Sequence, residues 1–374
     1  MNETEFDTLL NDSQGTLVDP VDPEKFDIER YIDYEQALLQ SNRDFWQKDK
    51  GIAVYRRFRV PAVFSDGCRD MKQSLALQLG ALTKSMEYKA DLANFLEPWY
   101  GIGVTAGAFG IEYKWEPGNA PAIAAPYSSV EEALAQDIVA IEKTPIGGHI
   151  LNMIDYFLEK TKGKIPISLT DTQSALNAAS FLIESNSFYM ELFDNPEGMQ
   201  KLLSIITDFT IEFSQKQKEL IGDALVWPGH GFPGSRVFNG LGMSGDVAIM
   251  ISDNQYLTYE APNAGRAGEL FGGAVFHSCG NWSAKIDAVK QIPNLLMVDA
   301  AFSKQTDPDP NPPQPFAEAF AGSGICLNAR IVGNPETVLN KVNILRQPGI
   351  KLIITTYCQT PEEQEQIYNS IKNI

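Results

Sequence analysis

A histidine and a cysteine stand two positions apart at the end of a short apolar run, and another cysteine ends a later apolar run. They are His277, Cys279 and Cys358, in a chain with only 3 histidines and 4 cysteines. Cysteine beside histidine in a reduced protein indicates metal binding or catalysis. Alternate side chains of a strand share a face, so His277 and Cys279 project to the same side. We therefore predict a zinc site with His277, Cys279 and Cys358 as ligands. The alternative is that the cysteines are small core residues and the histidine is an ordinary polar side chain.

The ligand types narrow the chemistry of such a site. Three nitrogen and sulfur ligands leave a fourth position open, which is typical of catalytic zinc. Two thiolates neutralise the charge of Zn²⁺, so the centre is a weak Lewis acid toward water. A substrate thiol that binds there stays deprotonated and nucleophilic at neutral pH. The ligands therefore favour alkylation of a thiol over hydrolysis. Asp246 or Glu260 could supply a further ligand, and the sequence leaves that choice open.

The elements that position these residues form an alternating series of short apolar runs and longer amphipathic stretches. We predict strands at Pro61–Phe64, Ile111–Trp115, Ile165–Leu169, Val247–Ile251, Ala274–His277, Leu295–Asp299, Ile325–Ala329 and Leu352–Tyr357. We predict helices at Ile32–Lys48, Ser128–Lys143, Ala175–Ser185, Pro196–Leu220, Asn281–Gln291 and Pro335–Leu345. About eight strands alternating with helices indicate a single (β/α)8 barrel, with a doubly wound open sheet as the alternative.

This pattern divides the chain into two predicted regions. Residues 1–58 are predicted to form an acidic, partly helical N-terminal extension, and residues 59–374 the α/β barrel. Functional groups of such barrels collect at the carboxyl ends of the strands. All three predicted zinc ligands follow or end strands, so we expect them to meet at one mouth.

The composition excludes several classes of partner. The chain has 48 acidic and 30 basic residues and a net charge of −18, which argues against nucleic acid. It has no apolar run long enough for a membrane helix and no secretory signal at its acidic start. Four cysteines are too few for a disulfide framework. We expect a cytoplasmic protein.

Other polar residues are weaker candidates. Asp299 ends one predicted strand, and Asn328 and Arg330 share a face of the next, so we expect them to line the barrel mouth as candidate catalytic residues. His230 lies in a glycine-rich loop and is predicted to be an ordinary loop residue rather than part of a lid. Three arginines between positions 56 and 59 are predicted to form a solvated face or ion pairs rather than a binding patch.

Several motifs carry a family resemblance over roughly residues 60–374. They are His277-Ser278-Cys279-Gly280, Gly333-Asn334-Pro335-Glu336-Thr337-Val338, Thr355-Thr356-Tyr357-Cys358 and, less specifically, Gly110-Ile111-Glu112-Tyr113, Pro126-Tyr127-Ser128-Ser129-Val130-Glu131-Glu132 and Phe193-Asp194-Asn195-Pro196-Glu197. The chain resembles the uroporphyrinogen decarboxylase superfamily, and within it the zinc-dependent methylcobamide:coenzyme M methyltransferases. The resemblance implies a (β/α)8 barrel with zinc on His277, Cys279 and Cys358.

The resemblance also implies the reaction. It favours a zinc-dependent methyltransferase that moves a methyl group from a methylcobamide, carried on a corrinoid protein, to a small thiol acceptor. True decarboxylases carry an Arg-Gln-Ala-Gly-Arg motif after the first strand, whereas this chain has one arginine and two acidic residues between positions 64 and 70. Decarboxylation of a porphyrinogen or related acid is the second hypothesis. A non-catalytic barrel that binds a corrinoid or small acid is the third.

Overall fold

The computed structural model describes residues 15–123 and 127–373. Residues 1–14 of the predicted extension and Pro126 of one family motif lie outside the described residues. The strands of the described part are β1 (Gly51–Arg56), β2 (Tyr113–Lys114), β3 (Ala122–Ile123), β4 (Ile167–Ser168), β5 (Leu225–Val226), β6 (Leu241–Ser244), β7 (Ala274–His277), β8 (Leu295–Ala301), β9 (Cys326–Ile331) and β10 (Lys351–Thr356).

The helices of the described part mostly follow the strands. They are α1 (Ile28–Gln47), α2 (Met71–Ser85), α3 (Val104–Gly107), α4 (Val130–Leu134), α5 (Pro145–Lys160), α6 (Ala175–Leu182), α7 (Ser185–Asp194), α8 (Pro196–Ile221), α9 (Asp253–Gln255), α10 (Ala261–Glu269), α11 (Ile286–Val289), α12 (Pro313–Phe320), α13 (Pro335–Leu345) and α14 (Pro361–Lys372). A π-helical turn at Tyr256–Glu260 joins α9 to α10.

The strands form a closed parallel barrel. Six of them make one sheet in the order β1-β10-β9-β8-β7-β6. On the far side of β1, the amide of Asp91 donates to the carbonyl of Val54 at 2.8 Å. Leu96 then bridges Ile167 of β4, and Gln173 bridges Ser244 of β6. The segments 91–96 and 167–173 therefore close the sheet into a ring, with β5 paired to β4, and the predicted (β/α)8 barrel is confirmed.

The barrel begins earlier in the chain than the sequence predicts. β1 pairs with β10 in parallel along its whole length, so Gly51–Arg56 belongs to the barrel rather than to the extension. The predicted strand Pro61–Phe64 is instead a 3₁₀ turn with proline in its first turn. Apolar runs of four or five residues do not distinguish a strand from a helical turn, because they are too short to show a period.

The same ambiguity applies to Val247–Ile251, where the structure has a 3₁₀ turn at Asp246–Met250 and the strand lies just before it at Leu241–Ser244. Around the middle of the chain, Ile111–Trp115 contributes only the two residues of β2, which pairs with β3 outside the barrel. The strand predictions at Ala274–His277, Leu295–Asp299, Ile325–Ala329 and Leu352–Tyr357 match β7 to β10 closely.

Helix starts agree with capping chemistry. The Ser129 hydroxyl accepts from the amide of Glu132 at 3.1 Å, and the Thr360 hydroxyl accepts from the amide of Glu363 at 3.2 Å. Helix α13 has the predicted bounds, with Asn334 as its cap. Side-chain caps of this kind satisfy amide groups that the first turn of a helix leaves without partners. The helix predicted at Asn281–Gln291 is confined to a 3₁₀ turn at Ser283–Lys285 followed by α11.

Candidate metal centre and its cavity

Three potential metal ligands meet at the carboxyl end of the barrel. Strand β7 ends at His277, and the chain continues directly to Cys279. The Sγ of Cys279 lies 3.5 Å from Nε2 of His277, so the two side chains share a side as predicted. Asp246 follows β6, the neighbouring strand. One ligand atom from each of Asp246, His277 and Cys279 lies within 4.8 Å of the others. Oxygen, nitrogen and sulfur donors in one group suit zinc.

Hydrogen bonds between backbone amides and carboxylates fix the turn that carries Cys279. The amide of Cys279 donates to Oδ1 of Asp246 at 2.6 Å, and the hydroxyl of Ser244 donates to Oδ2 of Asp246 at 3.1 Å. The amide of Gly280 donates to Asp307 at 2.6 Å, and Gly280 has a positive φ of 75°. A left-handed conformation is readily adopted by glycine. The turn after β7 is therefore held by carboxylates on both sides.

The imidazole of His277 is oriented by a buried carboxylate. Its Nδ1 lies 2.6 Å from Oδ2 of Asp299, which is 3% exposed at the end of β8. Because Asp299 holds Nδ1, the free Nε2 faces Cys279 and Asp246. A carboxylate on the far nitrogen of a metal-binding histidine is a usual outer partner in such sites.

Asp299 collects two further donors that were predicted to line the mouth. Nε of Arg330 lies 2.9 Å from Asp299, and the side-chain amide of Asn328 also donates to it. Burial alone raises the pKa of Asp299, but the charge of Arg330 and the hydrogen bonds from His277 and Asn328 outweigh it and hold the pKa well below its ordinary value. Asp299 and Arg330 line the cavity, whereas Asn328 is buried behind them and accepts from the Thr355 hydroxyl at 2.7 Å.

Cys358 is placed differently from the other two predicted ligands. It follows β10, is 4% exposed, and does not belong to the group that Asp246, His277 and Cys279 form within the described part of the chain. Its carbonyl accepts from Nε of Arg56 at 2.7 Å. Burial raises the pKa of its thiol to about 11, and the charge of Arg56 opposes that rise. A ligand role for Cys358 stays a prediction.

Glu260, the other residue considered as a further ligand, is not part of the group that Asp246, His277 and Cys279 form in the described residues. It is 2% exposed, and its Oε2 accepts from the amide of Leu176 at 3.3 Å. Its Oε1 is buried with no hydrogen-bond partner. Burial raises the pKa of Glu260 to about 7. The structure therefore favours Asp246 over Glu260 as the carboxylate ligand.

Replacement of Glu260 by glutamine is expected to stabilise the protein at alkaline pH. The buried carboxyl group binds its proton more tightly in the folded state, so wild-type stability falls as pH rises from the unfolded pKa of 4.5 to the folded pKa of about 7. The neutral amide removes that dependence and should add up to about 3 kcal/mol to the free energy of unfolding at pH 8. Urea unfolding at pH 5 and pH 8 measures the difference, with Glu269→Gln on α10 as the control. A Glu260→Gln variant with the wild-type pH dependence would contradict the assignment.

The metal group opens into a cavity of about 570 Å³. A cavity of this size suits a small-molecule ligand. Its wall includes His230, whose ring centroid lies 5.2 Å from that of His277. Nδ1 of His230 lies 2.8 Å from Asp171, which also accepts from Trp99 and Gln173. Burial lowers the pKa of His230, but the charge of Asp171 outweighs this effect and the pKa is raised. His230 is thus a fixed wall residue, contrary to the prediction of an ordinary loop position.

The arginines near position 57 differ from the prediction in part, because Arg57 forms an ion pair with Glu97 at 3.4 Å but the three arginines do not form a solvated face. Arg57 and Arg59 line the cavity, and Arg56 is 1% exposed beside Cys358. Arg56 ends β1 and the other two arginines follow it, and the sequence pattern assigned this strand to the extension. A correct assignment of β1 would have placed them at the barrel mouth, where strand ends carry functional groups.

Comparison with known proteins agrees with the barrel. Residues 49–233 match the family model of uroporphyrinogen decarboxylase (URO-D). The matched residues start at β1 and end before the metal group, although the more specific sequence motifs lie later. No curated protein matches the sequence. Among solved structures, a methyltransferase from Methanosarcina mazei is similar at 15% identity and a TM-score of 0.57, covering 82% of this chain and 86% of that one.

The fold and the family match together define the class of protein. The chain is an α/β barrel protein, and its residues 49–233 are similar to the uroporphyrinogen decarboxylase family. In the described residues no helix is both long and apolar enough to cross a membrane.

Proposed function

We propose that the protein is a zinc-dependent methyltransferase that moves a methyl group from a protein-bound methylated corrinoid to a thiol. The observation that carries the proposal is the mixed donor group of Asp246, His277 and Cys279 in the cavity wall, with His277 oriented by Asp299. The likeness to a methyltransferase barrel is consistent with it.

The residues fit a zinc ion on three counts. The donors are oxygen, nitrogen and sulfur within one ion's reach, and three protein ligands leave a position for substrate. Nε2 of His277 is left free because Nδ1 is held by Asp299. Asp246 as carboxylate and Cys279 as thiolate bring two negative charges. Together they would neutralise the charge of Zn²⁺, as two thiolates would. Zinc held there lowers the pKa of an incoming thiol and keeps the sulfur nucleophilic.

The protein's own groups prepare the site for that thiol. Asp246 accepts the Cys279 amide and so fixes the Cys279 side chain beside His277. Cys279 is exposed to the cavity, but the protein packed around its thiol and the negative charge of Asp246 raise the pKa of the free thiol. A cation is therefore needed to hold Cys279 as thiolate at neutral pH. His230, held by Asp171, lies beside His277 in the cavity wall and limits where a small thiol can lie.

The direct test is methyl transfer in solution. Purified full-length protein is incubated with methylcobalamin and a panel of small thiols, and loss of the methyl–cobalt absorption is followed with and without zinc. We expect zinc-dependent demethylation and a thioether product for at least one thiol. Metal-loaded protein that demethylates methylcobalamin with none of the panel would count against the proposal.

Decarboxylation of an acidic substrate is the second candidate, and one observation favours it. The cavity lining includes Arg57, Arg59 and Arg330. The barrel mouth therefore offers more positive charge to a carboxylate substrate than the segment between positions 64 and 70 indicates. Release of carbon dioxide from a porphyrinogen by metal-free protein would support this candidate, and its absence together with zinc-dependent methyl transfer would exclude it.

A further inference from the structure

The turn after β7 gives its backbone amides to the loop that follows β8. The amide of Gly280 donates to Oδ2 of Asp307 at 2.6 Å, and the amide of Trp282 donates to Oδ1 of Asn311 at 2.9 Å. The side-chain amide of Asn311 returns a hydrogen bond to the carbonyl of Gly280 at 3.1 Å. Two side chains of one loop therefore fasten the three residues that come directly after Cys279.

The loop that carries Asp307 and Asn311 is itself fixed. Three prolines lie between the end of β8 and the start of α12, and proline restricts the backbone φ. The amide of Asp307 donates to the carbonyl of Ser303 at 3.1 Å, and the amide of Asn311 donates to the carbonyl of Ala301 at 2.9 Å. Asp307 is 6% exposed and Asn311 is 2% exposed. The two side chains are therefore anchored to the end of β8.

These hydrogen bonds limit what the sulfur of Cys279 can accept. Backbone amides near a metal-binding cysteine can donate to its sulfur, and hydrogen bonds to the sulfur tune the metal centre. Here the amide of Cys279 is taken by Asp246 and the amide of Gly280 by Asp307, both at 2.6 Å. The amide of Trp282 is directed to a side-chain oxygen as well. An amide hydrogen that an oxygen holds at these distances is not available to sulfur.

The chemical consequence is a cysteine that keeps its charge for a metal. A thiolate that accepts fewer hydrogen bonds donates more electron density to the metal that it binds. An electron-rich centre leaves a thiol bound beside Cys279 more basic, and the nucleophilicity of a thiolate rises with its basicity. The direction of the amides therefore suits the alkylation of a thiol.

We propose that Asp307 and Asn311 are positioning residues of the metal group. They take the amides of Gly280 and Trp282, which fixes the turn that carries Cys279 and keeps these hydrogen bonds off its sulfur. The effect on the sulfur rests on the proposed function, since it needs a metal on Cys279. The hold on the turn exists without a metal, so the two parts are separable by experiment.

The hold on the turn is measured by amide hydrogen exchange of metal-free full-length protein. Mass spectrometry of a peptide that spans residues 278–283 follows the amides of Gly280 and Trp282. We expect Asp307→Ala to exchange about tenfold faster there than wild type, because it loses a hydrogen bond to a charged acceptor. Asp309→Ala is the matched control and should exchange as wild type does, since it removes the same charge from the same loop but keeps the amide that donates to Asp307. Exchange in Asp307→Ala at the wild-type rate overturns the positioning role.

The effect on the sulfur is measured with cobalt(II), which binds the same nitrogen, oxygen and sulfur donors as zinc and absorbs visible light. The charge-transfer band from sulfur to cobalt moves to higher energy when the sulfur accepts a hydrogen bond. We expect this shift in Asp307→Ala, where the Gly280 amide is released, and the wild-type band in Asp309→Ala. Asp307→Asn keeps one acceptor oxygen and should give a smaller shift than Asp307→Ala.

The outcomes separate the two parts of the proposal. A cobalt-loaded Asp307→Ala variant with the wild-type band overturns the effect on the sulfur. A shift of equal size in Asp309→Ala or Asp307→Asn also overturns it, because loss of charge alone would then explain the change. Wild-type protein that binds neither zinc nor cobalt contradicts the proposed function and the effect on the sulfur together, while hydrogen exchange in the metal-free protein still decides the hold on the turn.

Discussion

Replacement of Cys279 by alanine is expected to remove stoichiometric zinc from the protein. Cys279 supplies the sulfur of the donor group, and its loss leaves only His277 and Asp246 within reach of one ion. Metal affinity should fall at least about 100-fold, because each ligand of a zinc site contributes directly to binding. Metal analysis after dialysis, together with chelator competition, measures the loss. His277→Ala should behave in the same way.

Cys358→Ala is the matched comparison for this experiment. It removes a thiol of the same size that follows β10, another strand of the same sheet, and it leaves the group of Asp246, His277 and Cys279 whole. We therefore expect zinc to be retained in Cys358→Ala. Loss of zinc in a folded Cys358→Ala variant would restore the sequence prediction that Cys358 is a ligand. Retention of zinc by Cys279→Ala would contradict the assignment of Cys279 as a zinc ligand, on which the proposed function depends.

The sequence predicted the barrel and two of the three residues of the candidate metal group, and the reasons are physical. The strands β7 to β10 are continuous apolar runs with distinct ends, so the residues that follow them could be assigned to the mouth. The pair of His277 and Cys279 was recognisable because a strand has a period of two. Asp299 was recognisable for the same reason, as the polar residue near the end of an apolar run.

Other parts of the site depend on contacts between distant segments. Asp246 was one of two possible ligands, and only the 3₁₀ turn after β6 shows that its carboxylate reaches the amide of Cys279. The pairing of His230 with Asp171 joins residues 59 positions apart. Arg57 and Arg59 were missed because the short strand β1 follows a long helix and was included in the extension. Local pattern carries little information on such tertiary contacts.

Replacement of Asp299 by asparagine tests the buried carboxylate that orients the imidazole of the predicted ligand His277. Three donors converge on the buried carboxylate, from His277, Arg330 and Asn328. An asparagine has one acceptor oxygen, and its amide nitrogen would face a donor. The imidazole of His277 then loses its orienting partner, and we expect zinc affinity to fall about 10- to 100-fold. Arg330 also loses its partner, which should lower the free energy of unfolding by about 3–5 kcal/mol.

The pH dependence of Asp299→Asn gives an independent readout of the same contacts. A carboxyl group with a lowered folded pKa stabilises the protein above its unfolded pKa of 3.8, and that contribution is lost as pH falls. The variant should therefore lose less stability than the wild type when the pH is lowered from about 5 toward 2. Asp208→Asn is the control, because Asp208 pairs with Arg266 on the surface and such pairs contribute about 1 kcal/mol or less. Zinc affinity is measured where circular dichroism shows the variant folded. A folded Asp299→Asn variant with wild-type zinc affinity would show that His277 needs no carboxylate to bind metal.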